Sequence, residues 1–277
     1  MGEPATPILP MAFFVGDFNV GKSALINALL RSPLLSMSGE ESRSLPTFVV
    51  AGAAAPEVLG YSRRDRRSQP MTLDDFAGLR GNNGRAAKWN ALAASVPESP
   101  FARLALVDTP GMSSDTLETM QIETLSHQEQ ALLVLVADIE YWFAKHTMDF
   151  IAYHQQIFKR SLMIVANKAD LMNASELARI QEKAARRMED YGIVPAPAFH
   201  VLSARLELVR RAPHDDARRK TKAKVRDMCD ISFDRFRLAL YEFERRCPGE
   251  DAHLPLTSVL QSPLAASFLA QQDGARV

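Results

Sequence analysis

Cysteine is scarce in this sequence, and neither sign of charge dominates it. Only two cysteines, Cys229 and Cys247, occur among 277 residues, which excludes a disulfide framework and the spacing of a metal site. The 33 basic residues balance the 33 acidic ones, and a formal net charge of zero argues against a dedicated nucleic-acid binder. These features predict a reduced, cytoplasmic setting and make nucleic acid an unlikely partner class.

Long apolar runs are also missing. The longest run, Ala131–Ala137, is far shorter than the roughly 20 residues that a membrane-spanning helix needs, and it predicts a buried parallel strand instead. The first residues lack a basic segment followed by an apolar core, so we expect no signal peptide. Hydrophobic residues still make up 47% of the chain, enough for a substantial core. A peripheral position at a membrane surface stays open.

The clearest pattern present is G-x-x-x-x-G-K-S at residues 16–23. It lies between an apolar, strand-like run at 11–15 and a run of strong helix formers at 23–30. A strand, a glycine loop and a helix in this order surround a phosphate chain with backbone N–H groups and a helix N-terminus. The sequence therefore predicts a phosphate-binding loop.

The residue types within this loop suit a nucleoside triphosphate. Gly16 and Gly21 allow backbone torsions and close approaches that a side chain would block. Lys22 can place its charge on the terminal phosphates, and the Ser23 hydroxyl is a hard oxygen ligand for Mg²⁺. The residues assigned to phosphate binding are Gly16, Asp17, Phe18, Asn19, Val20, Gly21, Lys22, Ser23 and Ala24.

A second pattern, D-T-P-G at residues 108–111, directly follows a predicted strand at 103–107. An acidic residue at a strand end beside the phosphate loop can hold Mg²⁺ through water, which is the role assigned to Asp108. The backbone N–H of Gly111 can reach a γ-phosphate because no side chain intervenes. A polar loop and a helix are expected across 112–130.

A third pattern, N-K-A-D at residues 167–170, follows a predicted strand at 162–166. The Asp170 carboxylate can accept from both N1–H and the 2-amino group of guanine, whereas adenine would leave it unpaired. Asn167 can brace the loop and meet the other edge of the base, and the stem of Lys168 can lie over the purine ring. Guanine is therefore the expected base.

The remaining base contact is expected after the last predicted strand, at 199–202. There a backbone N–H can meet the guanine carbonyl, and the residues assigned to this contact are Ser203, Ala204 and Arg205.

Several shorter predictions concern the segments between these motifs. Residues 31–46 are polar and predict a loop, and a strand follows at 48–50. Residues 63–67 carry four arginines and predict a solvated hairpin tip, with contact to an acidic partner or a phosphate as the alternative. Thr72 is a predicted N-cap of a helix, and a second short element, interpreted as helical, is expected over 86–94.

The C-terminal part changes in composition. Apolar residues recur every three or four positions from Val225 to Phe243, which predicts one long helix over 217–246. Basic residues crowd its start, and they indicate either a solvated helix end or a surface for an anionic membrane or protein partner. Residues 250–277 are expected to form a short packed tail or to be disordered.

The ordered motif set resembles the P-loop GTPases over about residues 11–211. Within them it is most similar to the bacterial dynamin-like GTPases, because of the G-D-F-N-x-G-K-S-x-L-I-N-A-L-L run at 16–30, L-P-T at 45–47 and the long insert before D-T-P-G. The resemblance implies an α/β, three-layer P-loop NTPase fold. It has a mostly parallel sheet with helices on both faces, plus a C-terminal long helix. It also implies a GTPase domain at 11–211 and a helical extension with a tail at 212–277.

The resemblance also implies roles for single residues. Thr47 is the loop threonine expected to close on Mg²⁺ and the γ-phosphate, with Ser42 and Ser44 as rivals for that position. Asn19 stands where potassium-dependent relatives carry an asparagine that helps to coordinate K⁺, and bracing of the loop is its alternative role. Met112 occupies the place of the glutamine that orients water in Ras-like enzymes.

The expected activity is hydrolysis of GTP to GDP with Mg²⁺, slow in the isolated chain and stimulated by dimerisation across the nucleotide face. Two alternatives stay open from the sequence: a nucleotide-gated interaction module with negligible turnover, and an Era-like GTPase of ribosome assembly. The neutral charge and the lack of a recognisable RNA module count against the latter.

Overall fold

The structure is a computed structural model that describes residues 9–35, 45–52, 55–62, 64, 67–79, 88–111, 125, 128–158, 161–210, 215–249 and 255–270. Several of the sequence predictions lie wholly or partly outside these residues. They concern the rival positions Ser42 and Ser44, Met112 in place of a glutamine, most of the loop and helix at 112–130, most of the loop at 31–46, most of the hairpin tip at 63–67 and both ends of the tail at 250–277.

In the part of the chain that the structure describes, nine strands form one mixed sheet. They are β1 (Met11–Val15), β2 (Thr47–Ala51), β3 (Glu57–Ser62), β4 (Arg67–Pro70), β5 (Ala91–Val96), β6 (Ala105–Asp108), β7 (Ala131–Asp138), β8 (Leu162–Asn167) and β9 (Ala198–Val201). Their order is β4-β3-β5-β2-β6-β1-β7-β8-β9. Strands β1 and β6, β2 and β5, β7 and β8, and β8 and β9 pair in parallel, while β2 with β6 and β3 with β4 and β5 are antiparallel. The predicted α/β fold with a mostly parallel sheet is confirmed.

Helices alternate with these strands and continue after them. They are α1 (Lys22–Leu30), α2 (Leu73–Gly78), α3 (Lys145–Phe158), α4 (Ala174–Asp190), α5 (Ala204–Leu208), α6 (Asp216–Lys220), α7 (Ala223–Arg246), α8 (Leu256–Gln261) and α9 (Pro263–Ala270). The Thr72 hydroxyl accepts from the Asp75 N–H, which confirms the predicted cap of α2. In the described part of the chain, no helix combines the length and the apolar character that crossing a membrane demands.

The chain divides into two compact units. The first comprises Met1–Phe14, Ser38–Leu132 and Phe243–Val277, and the second comprises Val15–Met37 and Leu133–Glu242. The phosphate loop and the motifs at 167–170 and 203–205 belong to the second unit, whereas Thr47 and the 108–111 motif belong to the first. The predicted division into 11–211 and 212–277 stays a prediction.

The helical element predicted over 86–94 is wrong for residues 91–94. Ala91–Val96 form strand β5, which is buried along its whole length and pairs with β2 on one side and β3 on the other. Alanine has the highest intrinsic helix propensity, but such propensities are small, and pairing with two neighbouring strands outweighs them. A hairpin tip was predicted at 63–67 without bounds for its strands, and the structure pairs Ser62 of β3 with Arg67 of β4.

The single long helix predicted over 217–246 is also wrong at its start. Helix α6 ends at Lys220, Thr221 is extended, and α7 begins at Ala223. The guanidinium of Arg226 donates to the carbonyl oxygens of Arg218 (2.7 Å) and Thr221 (2.9 Å). These bonds satisfy backbone acceptors at the end of α6, so the break is a stable turn.

Within the first unit, the C-terminal end of α7 is fastened to the segment before β6. The Glu244 carboxylate accepts from the N–H groups of Arg103 (2.6 Å) and Leu104 (2.9 Å). The Arg103 guanidinium donates in return to the carbonyls of Glu244 and Cys247. Because β6 ends at Asp108, these contacts help to set the position of the strand that carries that carboxylate.

The tail folds onto the sheet of the first unit. Helices α8 and α9 are buried through Leu256, Val259, Leu260, Leu264 and Phe268, among others, and α8 contacts β2, β3 and β5. The Phe268 ring lies 5.1 Å from the ring of Phe13 and 6.4 Å from that of Phe48, measured between centroids. Residues 255–270 are therefore a packed part of the core.

Phe268→Ala is expected to lower the free energy of unfolding by about 3–5 kcal/mol, because it leaves a cavity beside the rings of Phe13 and Phe48, whose strands the sheet holds in place. Urea unfolding followed by circular dichroism measures the loss. Leu238→Ala is the matched control, since Leu238 is 55% exposed on α7 and its truncation should cost little. Equal losses for both variants would contradict the packing role of Phe268.

Candidate nucleotide-binding site

The phosphate loop connects β1 to α1, and the two glycine positions of its motif have no room for a side chain. Gly16 has φ +146° and Gly21 has φ +92°, a backbone region that favours glycine. A Cβ on Gly16 would lie 2.0 Å from the carbonyl oxygen of Val136, and one on Gly21 would lie 2.4 Å from the Asn167 side-chain nitrogen. The loop can therefore approach β7 and the 167–170 motif only because both residues are glycines.

Lys22 lies at the start of α1 and is buried beneath its own loop. Its Nζ donates to the carbonyl oxygens of Gly16 (2.8 Å) and Asp17 (2.9 Å). These bonds hold the ammonium group inside the ring of backbone that a phosphate chain would enter. Ser23 follows it in the first turn of α1, where its hydroxyl belongs to the same helix N-terminus.

The tip of the loop is open to solvent. Asp17, Phe18 and Asn19 are exposed, and Asn19 has φ +61°. The Asp17 carboxylate lies 3.4 Å from Nε2 of His146 at the start of α3. The loop tip can therefore contact a ligand without first displacing packed side chains.

Asn167 joins three of the predicted motifs within the second unit. Its side-chain Nδ2 donates to the Val20 carbonyl of the phosphate loop (2.9 Å). Its Oδ1 accepts from the Ala204 N–H of the 203–205 motif (3.0 Å). The side chain is almost fully buried, so both bonds are shielded from water.

Asp170 lies in a 3₁₀ turn, Ala169–Leu171, directly after β8. Its Oδ1 accepts a 2.5 Å hydrogen bond from the Ser203 hydroxyl, which in turn accepts from the Leu206 N–H at the start of α5. Burial raises the pKa of the nearby Cys229 thiol to about 12, and the Asp170 charge adds to the shift. The thiol therefore stays neutral and adds no second negative charge beside Asp170.

Lys168 is held by a carboxylate that the sequence analysis did not consider. The residue has φ +67°, and its Nζ lies 2.6 Å from Oδ2 of Asp138 at the end of β7. Asp138 directly follows the apolar run 131–137 and is the last residue of β7, as Asn167 is the last residue of β8. Asp138 could have been found by examining the polar residue at the end of every predicted strand.

Two predicted Mg²⁺ ligands lie opposite each other in the first unit. Thr47 begins β2, is buried and donates its hydroxyl to the Leu45 carbonyl (3.1 Å). The antiparallel register pairs Thr47 with Asp108, the buried last residue of β6. Thr109 donates to the Phe14 carbonyl (2.7 Å), which fixes the chain that leads to Gly111.

The residues predicted to bind Mg²⁺ are each of a type that the ion prefers. The hydroxyl groups of Ser23 and Thr47 and the carboxylate of Asp108 are hard oxygen ligands, and Asp108 lies at the end of a buried strand. Taken one by one, their chemistry fits the ion.

Comparisons with known proteins identify the family and the fold. The sequence pattern of the Dynamin family matches residues 13–169, more than half of the chain. Mitofusin FZO1 of Saccharomyces cerevisiae is 25% identical over 187 residues, which cover 57% of this chain and 21% of the mitofusin. The chain thus spans about a fifth of that relative.

Solved structures of an oligomerised bacterial dynamin pair, described as sensing and tethering membranes, share the fold. One has a TM-score of 0.61 at 14% identity and is matched over 95% of this chain and 40% of its own. Another has a TM-score of 0.58 at 14% identity, over 86% of this chain and 48% of its own. This chain therefore spans less than half of either structure.

The sheet and its loop motifs define a P-loop GTPase fold. The extent of the family match decides the family: this chain belongs to the dynamin family. The resemblance to dynamin-like GTPases predicted from the sequence is thereby confirmed.

Proposed function

We propose that this chain binds GTP and GDP and hydrolyses GTP to GDP and phosphate with Mg²⁺. The observation that carries the proposal is the Asn167 side chain, which ties the phosphate loop at Val20 to the 203–205 motif at Ala204. The groups expected to bind phosphate and those expected to read the base thereby lie in one unit, which supports binding of a single nucleotide. Membership of the dynamin family, a family of GTPases, supports the same activity.

In this proposal, backbone N–H groups of residues 16–24 surround the phosphates, and the Lys22 ammonium leaves its carbonyl partners to bind the terminal phosphates. The oxygens of Ser23, Thr47 and Asp108 would hold Mg²⁺, which supplies positive charge to the developing phosphate oxygens. The Gly111 N–H donates to the γ-phosphate while water attacks in line.

The base is recognised by the groups around Asp170. Its carboxylate accepts from guanine N1–H and the 2-amino group, and Ser203 orients it through the 2.5 Å hydrogen bond. Asn167 braces this loop, and the stem of Lys168 covers one face of the purine. A backbone N–H near Ala204 donates to the guanine carbonyl, and Arg205 is exposed beside it.

The proposal includes contributions to hydrolysis from a bound K⁺ and from a second copy of the chain. Met112 cannot orient water as glutamine does, so the chain alone should be slow. Asn19, exposed at the loop tip, would help to hold K⁺, and a second copy would complete the site by dimerisation across the nucleotide face. The oligomerised state of the structurally similar bacterial pair supports this last point.

A membrane or protein partner at the basic start of the C-terminal helices is a weaker part of the proposal. Arg218 is paired with Asp230 (2.7 Å), and Arg226 caps α6 through two carbonyls. Both side chains therefore serve the fold. The contact surface that remains for an anionic partner consists of the exposed residues Arg219, Lys220, Lys222 and Lys224.

We expect GTP, but not ATP, to displace a fluorescent GDP analogue from the protein in competition titrations, because only guanine satisfies Asp170. The rate of phosphate release per protein molecule should be low, and it should rise with protein concentration in potassium buffer. A transition-state analogue should convert monomers to dimers in light scattering. Persistent monomers would remove the dimerisation step, and tight binding without turnover would instead identify a nucleotide-gated interaction module.

A further inference from the structure

We propose that Asp138 is a positioning residue that holds the Lys168 side chain in the shape that receives the purine, and thereby slows nucleotide dissociation. The inference rests on the proposed function, since it assigns a role within the same base site. Its starting point is the 2.6 Å contact between Asp138 Oδ2 and Lys168 Nζ.

Asp138 is itself fixed from two directions. Its Oδ1 accepts a 3.0 Å hydrogen bond from the backbone N–H of Glu140. Its backbone is in parallel register with Asn167, and the N–H of Ile139 donates to the Asn167 carbonyl (3.0 Å). The carboxylate therefore has a set position relative to the loop that carries Lys168.

Lys168 is constrained at both ends. Its backbone adopts a left-handed conformation, with φ +67° and ψ +29°, which determines where the side chain leaves the loop. Its ammonium group ends on Asp138, while 36% of the side chain stays exposed to solvent. The four-carbon stem is thus fixed at both ends, while part of it stays exposed.

This arrangement lowers the entropy loss on binding. A lysine side chain is among the most flexible, and covering a purine face requires most of its rotamers to be given up. An ion pair that has already fixed the far end leaves less freedom to lose when the base arrives. The effect concerns the face of the ring, so it does not depend on the 2-amino group that Asp170 reads.

The neighbouring groups favour this role over two others. Among the residues that the structure describes, no group of three or more His, Cys, Asp or Glu side chains could hold a metal ion, so Asp138 belongs to no such cluster. Asp138 is also unsuited to recognise the base directly. One of its carboxylate oxygens accepts from the Glu140 N–H, and the other accepts from Lys168 Nζ.

The test measures dissociation of fluorescent GDP and fluorescent inosine diphosphate by stopped flow. Asp138→Asn keeps the size and removes the charge, and it should accelerate dissociation of both nucleotides about fivefold, the scale of a partly exposed ion pair. Asp138→Ser, which can still accept from the Glu140 N–H, is the second variant. Glu182→Gln, which breaks the exposed Glu182–Arg186 pair on α4, is the matched control and should leave both rates unchanged.

A double-mutant cycle separates positioning from a general structural effect. Lys168→Met keeps an apolar stem and removes the ammonium, so adding Asp138→Asn to it should change the rates no further. An unchanged rate in Asp138→Asn, or the same acceleration in the Lys168→Met background, would overturn the inference while leaving nucleotide binding intact. A wild-type protein that binds no guanine nucleotide would overturn the proposed function and this inference with it.

Discussion

Asp170→Asn is expected to exchange the base preference of the protein from guanine to xanthine. Guanine presents two donors to this position, and an amide can accept from only one of them and opposes the other with its own N–H. Xanthine carries a carbonyl oxygen in place of the 2-amino group, and the amide N–H can donate to it. We expect GTP affinity to fall by about a hundredfold or more and xanthosine triphosphate to bind in its place.

The gain of a new ligand is what makes this variant informative. A misfolded loop would lose both nucleotides, whereas a changed base contact loses one and gains the other. Titration calorimetry with the two nucleotides measures the change, and Asp149→Asn, an exposed position on α3, is the control. Unchanged GTP affinity in Asp170→Asn would show that this carboxylate does not read the base.

Lys22→Ala is expected to abolish turnover and to weaken binding in proportion to the number of phosphates. The ammonium would act on the terminal phosphates, so affinity should fall most for GTP, less for GDP and little for GMP. A loss of the order of a hundredfold for GTP corresponds to removing one charged contact from a buried site. The same change removes the hydrogen bonds to Gly16 and Asp17. Comparing GTP, GDP and GMP is therefore needed to distinguish the loss of the charge from a collapse of the loop.

Lys224→Ala controls for the loss of a lysine, because Lys224 is exposed on α7. Equilibrium binding of the three nucleotides and phosphate release under excess GTP give the required values. An equal loss for GMP and GTP would indicate that the loop has lost its shape, and normal turnover would exclude Lys22 from the chemistry.

The parts of the fold that were predicted correctly carry local signals. Strands β1, β7 and β8 are continuous apolar runs buried along almost their whole length, and each is followed by polar residues at its carboxyl end. Strand β5 has no such signal, because its alanines favour a helix in isolation. Its conformation depends on β2 and β3, which lie far from it in the sequence.

The candidate site shows the same division between local and distant information. The motifs at 16–23 and 167–170 could be found from spacing and residue type alone. The bond from Asn167 to Val20, the Ser203 bond to Asp170 and the Asp138 pair with Lys168 join residues between 30 and 147 positions apart. Such pairings follow from strand order and register, which the residue pattern does not reveal.

The packing of α9 has a consequence for biosynthesis. Phe13 and Phe48 leave the ribosome early, whereas Phe268, whose ring lies against both of them, is among the last residues of the described chain to be translated. A nascent chain interrupted before this helix would present bare apolar sheet to its surroundings. Binding of a chaperone to the nascent chain until residue 268 has been synthesised would therefore protect it from aggregation.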